Sequence, residues 1–477
     1  MAEHRLTTTQ DPAPGTSRFQ LLPLGGSTPE ELERNTADFA AWPADADLRD
    51  AAGRLREQLP ARPRCRRVVL AASVQHAQRA IAEQDSRWVH TADPQPDADG
   101  VVFCFSGLGE RISILGQALY DGNAQYRAVL ERLGRAAAES GVRLRLDLLR
   151  TRSADSAQPA GAPTADGSAR ALLAAARRTT LAAAAPAAPQ LAPAEEQPLR
   201  WAIGYALART WMAAGVEPRA VLGHSLGEYV AACIAGVFSE QDALRLVSRR
   251  AELIARLPPG GMLAVSLSAA ELSRRLPDGV SVSALNAPSL TVVSGNGPAL
   301  ATLVADLASD GVPHRYLDVP HAYHSPELGS VAGPLAEAVG QVRRDPPRLR
   351  WISSVTGRWV RPGEAADPGF WVRHTTAPVN YLGALRTALR SRPAVLLEVG
   401  PGAGLTTFAN HALLAAPAST TLAVASVQPS PYWYGETTSW LSTLGRLWTS
   451  GADVDWRVLD DLVTVPSQET VNDVRES

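Results

Sequence analysis

A serine flanked by two glycines is the feature of this sequence whose residue types and spacing could do chemistry. The stretch GHSLG, residues 223–227, follows the apolar run AVL and precedes EYVAACIAGVF. This order predicts a strand, a tight turn and a helix, which is the context of a nucleophile elbow with Ser225 at its tip. Backbone N–H groups and the dipole at the helix N-terminus favour a developing oxyanion there. The alternative is that Ser225 only caps the helix.

A serine nucleophile needs a base to take its proton, and the chain has nine histidines. His224 is adjacent to Ser225 and points elsewhere on an elbow, so we interpret it as structural. The stretch HAYHS, residues 321–325, lies where one predicted subdomain returns the chain to another, and pockets form between domains. Either His321 or His324 could be the base, because the sequence pattern does not choose between them.

A substrate that carries a carboxylate needs a cation in the same pocket. The stretch ALRLVSRRAELI predicts a helix after the elbow helix, and it contains Arg249 and Arg250. We expect Arg249 to face solvent and Arg250 to reach the pocket, provided that the two helices pack side by side. A guanidinium can hold a carboxylate with two parallel hydrogen bonds, which a lysine cannot do.

The elements around these residues predict an α/β protein. Strands running into glycine turns are expected at VVFCFSG, residues 101–107, and at AVLLEVGPGAG, residues 394–404. Between them, residues 261–320 show the order β-α-β-β-α-β of a ferredoxin-like unit. A long helix is expected to start at Gln197, with Pro198 in its first turn.

These elements divide the chain into several parts. The alanine-rich and proline-rich segment before Gln197 contains no aromatic residue, and its composition predicts a flexible insertion. The predicted parts are a disordered tail (1–16), a small N-terminal α/β unit (17–97), a large subdomain in two parts (98–260 and 321–425) with the insertion at 151–196, a ferredoxin-like small subdomain (261–320) and a C-terminal segment (426–477).

Composition excludes several classes of function. A formal net charge of −2 gives no basic field for nucleic acid or for a membrane surface. The three cysteines, Cys65, Cys104 and Cys233, follow neither a disulfide framework nor zinc spacing. The N-terminal stretch MAEHRLTTTQDPAPG lacks the apolar core of a signal peptide, and no apolar run reaches the roughly 18 residues of a membrane span. We therefore expect a soluble cytoplasmic protein that binds no metal, nucleic acid or membrane.

Seven motifs in one order resemble those of polyketide synthase acyltransferase domains and malonyl-CoA:acyl carrier protein transacylases. The motifs are GHSLGEYVAACIAGVFS, GGMLAVSLS, NAPSLTVVSG, HAYHSPEL, SSVTG, PVNY and EVGPGAGLT, and the resemblance runs from about Val101 to Ala425. It implies an α/β-hydrolase-like large domain with an inserted ferredoxin-like subdomain. Residues 17–97 resemble the adapter between ketosynthase and acyltransferase, and the segment from 426 resembles the linker that follows the acyltransferase.

The resemblance also implies what each candidate residue does. The chain begins with its own methionine and shows no ketosynthase or carrier protein, so we expect a discrete acyltransferase that acts in trans. Acyl-CoA is its implied substrate, an acyl carrier protein its implied partner, and no cofactor is permanently bound. The implied roles are nucleophile for Ser225, base for His324, oxyanion donors for the N–H groups of Leu108 and Leu226, carboxylate binding for Arg250, with Gln197 beside it, and histidine support from carbonyls near Val399 and Gly400.

Two features of the motifs bear on the acyl unit, the altered SGLG turn and the residues Leu226 and HAYH. The chain has SGLG where the family has PGQG, so Leu108 replaces a glutamine whose hydrogen bonds are lost. In the family, a branched apolar residue after the serine together with HAFH accompanies malonyl units. Leu226 and HAYH resemble this set. In addition, the bulky ring of Tyr323 is expected to crowd a substituent on the acyl α-carbon. Malonyl is therefore the expected unit, and an unusual acyl unit is the alternative.

Two other functions compete with transfer. An acyl hydrolase that clears carrier proteins shares this fold, but it has no use for a buried guanidinium such as Arg250. An inactive scaffold that only binds carrier proteins is the other alternative, suggested by the altered SGLG turn. Since carrier proteins are acidic, a basic run in the N-terminal unit is a candidate docking patch, although such runs usually only face solvent. The run consists of Arg62, Arg64, Arg66 and Arg67.

Overall fold

The computed structural model of the protein describes residues 19–93, 98–108, 116–150, 191–416, 419–427 and 435–462. The predicted disordered tail and most of the predicted insertion lie outside the described residues. Within them the chain has the expected α/β architecture, with one antiparallel sheet in the N-terminal unit and two further sheets. No described helix combines the length and the hydropathy needed to cross a bilayer.

The N-terminal unit is a three-stranded antiparallel sheet, order β1-β2-β3, packed against helices. Its first helix begins where Thr28 accepts a hydrogen bond from the Glu31 N–H, and Pro29 occupies the first turn. The third strand was not predicted, because it is short and only half-buried. The elements are β1 (Gln20–Gly26), α1 (Pro29–Ala40), α2 (Leu48–Gln58), β2 (Cys65–Ala71), α3 (Val74–Ala82) and β3 (Val89–Ala92).

The first part of the large subdomain contains the predicted elbow between a buried strand and a buried helix. The strand VVFCF is apolar throughout and every residue is buried, as in a parallel strand covered on both faces. The elements are β4 (Val101–Phe105), α4 (Gln117–Gly122), α5 (Ala124–Glu139), α6 (Asp147–Arg150), α7 (Pro193–Ala213), β5 (Pro218–Gly223), α8 (Gly227–Ile234) and α9 (Glu240–Ile254).

Helix α7 corrects the predicted end of the insertion. The helix begins at Pro193, four residues before the expected start, and Pro198 lies inside it. At this position the proline removes one i→i−4 hydrogen bond and its ring crowds the carbonyl of Ala194, yet the buried residues that follow continue the helix. Residues 193–196 therefore belong to α7 and not to the insertion, and Gln197 lies inside the helix rather than at its start.

The small subdomain has the topology that the sequence predicts. Its four strands form an antiparallel sheet of order β7-β8-β6-β9, which is the ferredoxin-like arrangement. The subdomain has a separate apolar core that includes Leu263, Val293 and Leu303. The elements are β6 (Gly261–Val265), α10 (Ala269–Leu272), β7 (Val280–Ala287), β8 (Leu290–Gly295), α11 (Gly297–Ser309) and β9 (His314–Tyr316).

The second part of the large subdomain completes a six-stranded sheet of order β11-β10-β5-β4-β12-β13. All neighbours are parallel except β10 and β11. The carboxyl ends of β4, β5 and β12 therefore meet at one edge, where ligands bind in open α/β sheets. The elements are α12 (Ala332–Gly340), β10 (Arg350–Ser353), β11 (Arg358–Trp359), α13 (Pro368–Thr376), α14 (Tyr381–Arg390), β12 (Val395–Val399), α15 (Gly404–Leu414), β13 (Leu422–Ala425), α16 (Glu436–Thr449) and α17 (Leu459–Leu462).

Helix α16 lies in the C-terminal segment that resembles a linker. It does not behave as a free linker, because it packs against both the large subdomain and the N-terminal unit. Trp440 stacks on Trp211 of α7 with ring centroids 4.8 Å apart. On the other side Gly445 lies against Val68 of β2, where an added Cβ would come within 2.7 Å of the Val68 side chain. A buried residue of β2, Arg66, donates hydrogen bonds to the carbonyls of Trp448 at 2.6 Å and Ala452 at 3.2 Å.

The contacts of Arg66 and Arg67 contradict the predicted basic docking patch. Its guanidinium is used inside the protein, and that of Arg67 pairs with Glu33 at 2.7 Å. The side chains of Arg62 and Arg64 are exposed. Two exposed arginines of the four do not make the patch that the sequence suggested.

We predict that Arg66→Ala destabilises the contact between the N-terminal unit and α16. The change removes the guanidinium donor from the carbonyls of Trp448 and Ala452, of which Trp448 keeps the Gly451 N–H as a donor, and this loss costs about 1–3 kcal/mol. Urea unfolding and amide hydrogen exchange in β2 measure the effect. Arg64→Ala, on the exposed neighbour, is the matched control and changes stability by no more than about 0.5 kcal/mol. Equal effects of the two substitutions would contradict the assigned role of Arg66.

Candidate active site

The turn between β5 and α8 holds Ser225 in a strained backbone conformation. Its φ of +52° lies in the left-handed region, which non-glycine residues rarely adopt. Both flanking glycines are required by close backbone contacts. An added Cβ would lie 2.2 Å from Glu228 Cα at Gly223 and 2.1 Å from the Phe105 carbonyl oxygen at Gly227. The local structure is therefore the sharp strand-to-helix turn that the sequence predicts, with the serine at its tip.

The structure places His324, and not His321, against this serine. Ser225 Oγ and His324 Nε2 are 2.6 Å apart. The other ring nitrogen, Nδ1, lies 3.1 Å from the Ala377 carbonyl oxygen, which can only accept, so Nδ1 carries the proton. Nε2 is then an acceptor for the serine hydroxyl. His321 instead directs its Nδ1 to the Pro258 carbonyl at 3.3 Å.

The carbonyl that supports His324 differs from the one expected. The resemblance pointed to Val399 and Gly400, but the acceptor is Ala377, at the end of α13. Gly400 instead packs against Ser106, whose Oγ would lie 1.9 Å from a Cβ added there. The end of β12 is thus occupied by the turn after β4, and the imidazole is supported from a different segment.

Burial sets the protonation state of this histidine. Desolvation lowers the pKa of His324 well below its usual value of 6.5, and the neighbouring His374, Arg250 and His224 lower it further. Its hydrogen bond to Ala377 acts in the opposite direction and is outweighed. The imidazole is therefore neutral at physiological pH, which is the state a general base requires.

Two backbone N–H groups beside Ser225 are available to an oxyanion. Leu226 stands at the N-terminus of α8, and Leu108 follows Gly107 in the turn after β4. A Cβ added to Gly107 would lie 2.6 Å from the His224 carbonyl oxygen and 3.4 Å from the Leu226 nitrogen, so the turn lies directly against the elbow. Neither N–H donates to a residue in the described part of the chain. This is the arrangement expected of an oxyanion hole.

Arg250 is a buried cation without a carboxylate partner among the described residues. It lies on α9 with 1% of its surface exposed, and its Nη1 donates to Oε1 of Gln197 on α7. Its Nε and Nη2 have no hydrogen-bond partner in the described structure, nor has Nε2 of Gln197. Arg249 is half-buried, with 42% of its side chain exposed, and lies 3.3 Å from Glu252. The two nitrogens left on Arg250 fit a carboxylate ligand.

Tyr323 and His224 complete the surroundings of the site. Tyr323 is buried beside Arg250 and Gln197, and desolvation raises its pKa to about 12, so its hydroxyl stays neutral. Nε2 of His224 lies 2.9 Å from Oδ1 of Asn286 on β7. His224 thus links the elbow to the small subdomain, which agrees with its interpretation as structural. No group of three or more His, Cys, Asp or Glu side chains in the described residues is arranged to hold a metal ion.

Comparison with known proteins identifies the family. The family model described as acyl transferase domain matches residues 102–445, well over half of the chain. The chain belongs to this family. Its curated relatives include a phenolphthiocerol/phthiocerol polyketide synthase of Mycobacterium tuberculosis, 34% identical over 54% of this chain. Polyketide synthase GfsE of Streptomyces halstedii is 35% identical over 54% of the chain. The matched regions are 17% and 7% of these longer relatives.

Solved structures agree with the family and the fold. The acyl transferase domain of SpnD, in complex with 2-(pent-4-yn-1-yl)malonyl, matches with a TM-score of 0.74 at 29% identity, covering 92% of this chain and 97% of that one. The acyltransferase domain from module 8 of the salinomycin polyketide synthase gives 0.76 at 26% identity, with the same coverage. The protein is an acyltransferase of the polyketide synthase type.

Three residues of the acyltransferase site were missed in the sequence. His374 of α13 places its Nε2 2.9 Å from the Ser225 carbonyl oxygen, and Ala377 supports the base. Glu228 of α8 is buried, accepts a hydrogen bond from the Ser354 N–H at 3.2 Å, and has its pKa raised to about 7 by burial. The one local signal for Glu228 was that it is a charged residue within the otherwise apolar stretch GEYVAACI. Nothing local marks His374 or Ala377.

We predict that acylation of the enzyme is insensitive to pH where an ordinary histidine titrates. A base with a lowered pKa stays neutral as the pH falls, so the rate is flat from about pH 8 to about pH 6, and its acid limb lies lower. Stopped-flow or quenched-flow acylation measures this profile as kcat/KM, with Ser225→Ala as the blank. An acid limb centred at or above the usual value of 6.5 would contradict the buried environment of His324.

Proposed function

We propose that this acyltransferase loads a malonyl unit from CoA onto Ser225 and passes it to the phosphopantetheine thiol of an acyl carrier protein. One observation carries the proposal. A buried guanidinium, Arg250, has two nitrogens without partners in the described structure and is close enough to His324 to influence its pKa. A buried cation without a counter-ion is costly, and an acyl unit with a free carboxylate supplies the missing partner.

The first half-reaction forms an ester on the serine. Ser225 Oγ attacks the thioester carbonyl as His324 Nε2 takes the hydroxyl proton, and the N–H groups of Leu108 and Leu226 hold the oxyanion. When the tetrahedral intermediate collapses, the C–S bond breaks and the imidazolium returns the proton to the CoA thiolate. Acyl-serine and free CoA remain, and Ala377 holds the ring in the tautomer that both proton transfers need.

The second half-reaction reverses these steps with a new thiol. The phosphopantetheine thiol gives its proton to His324, attacks the ester and displaces Ser225, which recovers the proton. Water competes poorly with the thiol for the acyl-serine ester if the acyl group is held in an orientation that water cannot attack. A two-point contact between Arg250 and the malonyl carboxylate supports that orientation, because it fixes the acyl chain at its far end.

Two buried side chains support malonyl over substituted malonyl units. Arg250 would hold the free carboxylate of either, so selection depends on space at the α-carbon. Leu226 and Tyr323 are both almost fully buried beside Ser225 and His324, and little room is expected between them. An unusual acyl unit stays the alternative, because Tyr323 and Leu108 both depart from the family pattern.

We test the overall reaction with radiolabelled malonyl-CoA and a carrier protein supplied as a separate polypeptide. Stable label on the acyltransferase, lost in Ser225→Ala, and its later appearance on the carrier protein are the expected results. Free malonate in place of labelled protein would indicate a hydrolase, and the absence of any label would indicate a scaffold. Label that stays on the acyltransferase would contradict action in trans. Mass spectrometry after exposure to mixed acyl-CoAs identifies the preferred unit.

We predict that Arg250→Met lowers malonyl loading about 10- to 100-fold, which corresponds to the loss of hydrogen bonds to a charged group. Loading from acetyl-CoA, which has no free carboxylate, is expected to hold or rise. Arg249→Met on the same helix is the matched control, because 42% of that side chain is exposed. Comparison of loading rates for the two substrates checks this. Unchanged malonyl loading by Arg250→Met would remove Arg250 from the mechanism.

A further inference from the structure

The strained carbonyl of Ser225 has two donors. The Glu228 N–H donates to it at 2.9 Å as part of the first turn of α8, and His374 Nε2, from α13, lies 2.9 Å from the same oxygen. A backbone held at positive φ persists only where its surroundings fix it. Of these two donors, the Glu228 N–H belongs to the elbow itself, so His374 is the one that holds the turn from outside.

The His374 ring is fixed in place and has one polar task. It is 2% exposed and packs against Tyr229 and Trp371, with ring centroids 5.3 Å and 6.0 Å away. Since a carbonyl can only accept, Nε2 carries the ring proton. Nδ1 has no partner among the described residues. Glu228 Oε2 is 3.8 Å from Nε2, too far for a hydrogen bond.

His374 is not suited to proton transfer. Burial, followed by the nearby charge of Arg250, lowers its pKa to about 3, so it stays neutral. It also contacts the backbone of Ser225 rather than the hydroxyl. Its contribution must therefore be geometric.

The same short segment also holds the base. Ala377, three residues after His374, accepts the hydrogen bond from His324 Nδ1. The end of α13 thus fixes the nucleophile through a side chain and the base through a carbonyl. The relative position of Ser225 Oγ and His324 Nε2 depends on both contacts.

We infer that His374 is a positioning residue, whose Nε2–H hydrogen bond to the Ser225 carbonyl sets the strained elbow at the correct distance from His324. This inference rests on the proposed role of Ser225 as nucleophile. A misplacement of about 1 Å at a reacting atom can cost about 100-fold in rate. The loss falls on the rate of acylation and not on substrate binding, because Arg250 is untouched.

The test compares two amides that differ in reach. A glutamine amide nitrogen occupies about the place of histidine Nε2, whereas that of asparagine occupies the place of Nδ1 and cannot reach the carbonyl. We expect H374Q to keep the maximal acylation rate within about 3-fold and H374N to lose about 10- to 100-fold, with KM for malonyl-CoA unchanged in both. Arg373→Gln is the control on the same helix, since that side chain is exposed and lies 3.6 Å from Asp367, away from the elbow contact.

A second readout separates this inference from the proposed function. Ser225 is also titrated with a fluorophosphonate, which reports the reactivity of the serine without any acyl carboxylate. Slow labelling of H374N and near-normal labelling of H374Q support the positioning role even if malonyl-CoA does not load. Equal labelling of H374Q and H374N, or a raised KM for malonyl-CoA with an unchanged maximal rate, overturns it. Thermal unfolding checks that the variants fold, and H374L takes the place of H374N should that variant not fold.

Discussion

The 2.6 Å contact between Ser225 Oγ and His324 Nε2 is the interaction on which the rest of the site depends. Neither residue sits in relaxed backbone, since φ is +52° at the serine and +57° at the histidine. Such conformations are costly for residues with a Cβ and persist only under constraint. Part of the constraint at the serine is steric, because only glycine fits at position 223, against Glu228 of α8, and at position 227, against the Phe105 carbonyl of β4. The fold stores strain where the hydroxyl must be presented.

The site also places charge where burial is unfavourable. Desolvation lowers the pKa of Arg250 and raises that of Glu228, and it keeps His324 and His374 neutral. Isolated charges lose several kcal/mol or more in such surroundings, so a protein selected for stability alone would not keep Arg250 here. The surrounding polar groups moderate the cost, with Gln197 accepting from the guanidinium. The two nitrogens of Arg250 that have no partner in the described structure are best understood as part of its binding function.

Local signals in the sequence predicted most of the elements, although not β3 or the start of α7, and they did not predict the contacts between elements. The glycines of GHSLG, the strand-turn pattern and the order of elements in residues 261–320 each follow from short-range periodicity, and they predicted the elbow and the small subdomain. The errors have two physical causes, which are a missing local signal and contacts with residues far away in the sequence. Pro198 resembled a helix start because the residues just before it carry no contrary signal, and Arg66 resembled a surface charge because the carbonyls that it binds are on and just after α16. The support of the base was assigned to the end of β12, yet it comes from Ala377, far from it in sequence.

His374 illustrates why such contacts escape sequence reasoning and why they matter. The segment from His374 to Val379 contacts Ser225 at one end and His324 in the middle. At its other end the Val379 N–H donates to the Ser283 carbonyl at 2.9 Å, and its carbonyl accepts from the Leu285 N–H at 2.8 Å, both on β7. His224 of the elbow reaches Asn286 on the same strand. The edge of the small subdomain therefore meets the elbow directly and also through this segment. The distance between nucleophile and base is thus a property of how the two subdomains dock, since a shift of β7 would move the carbonyl that orients His324 and the histidine that holds Ser225.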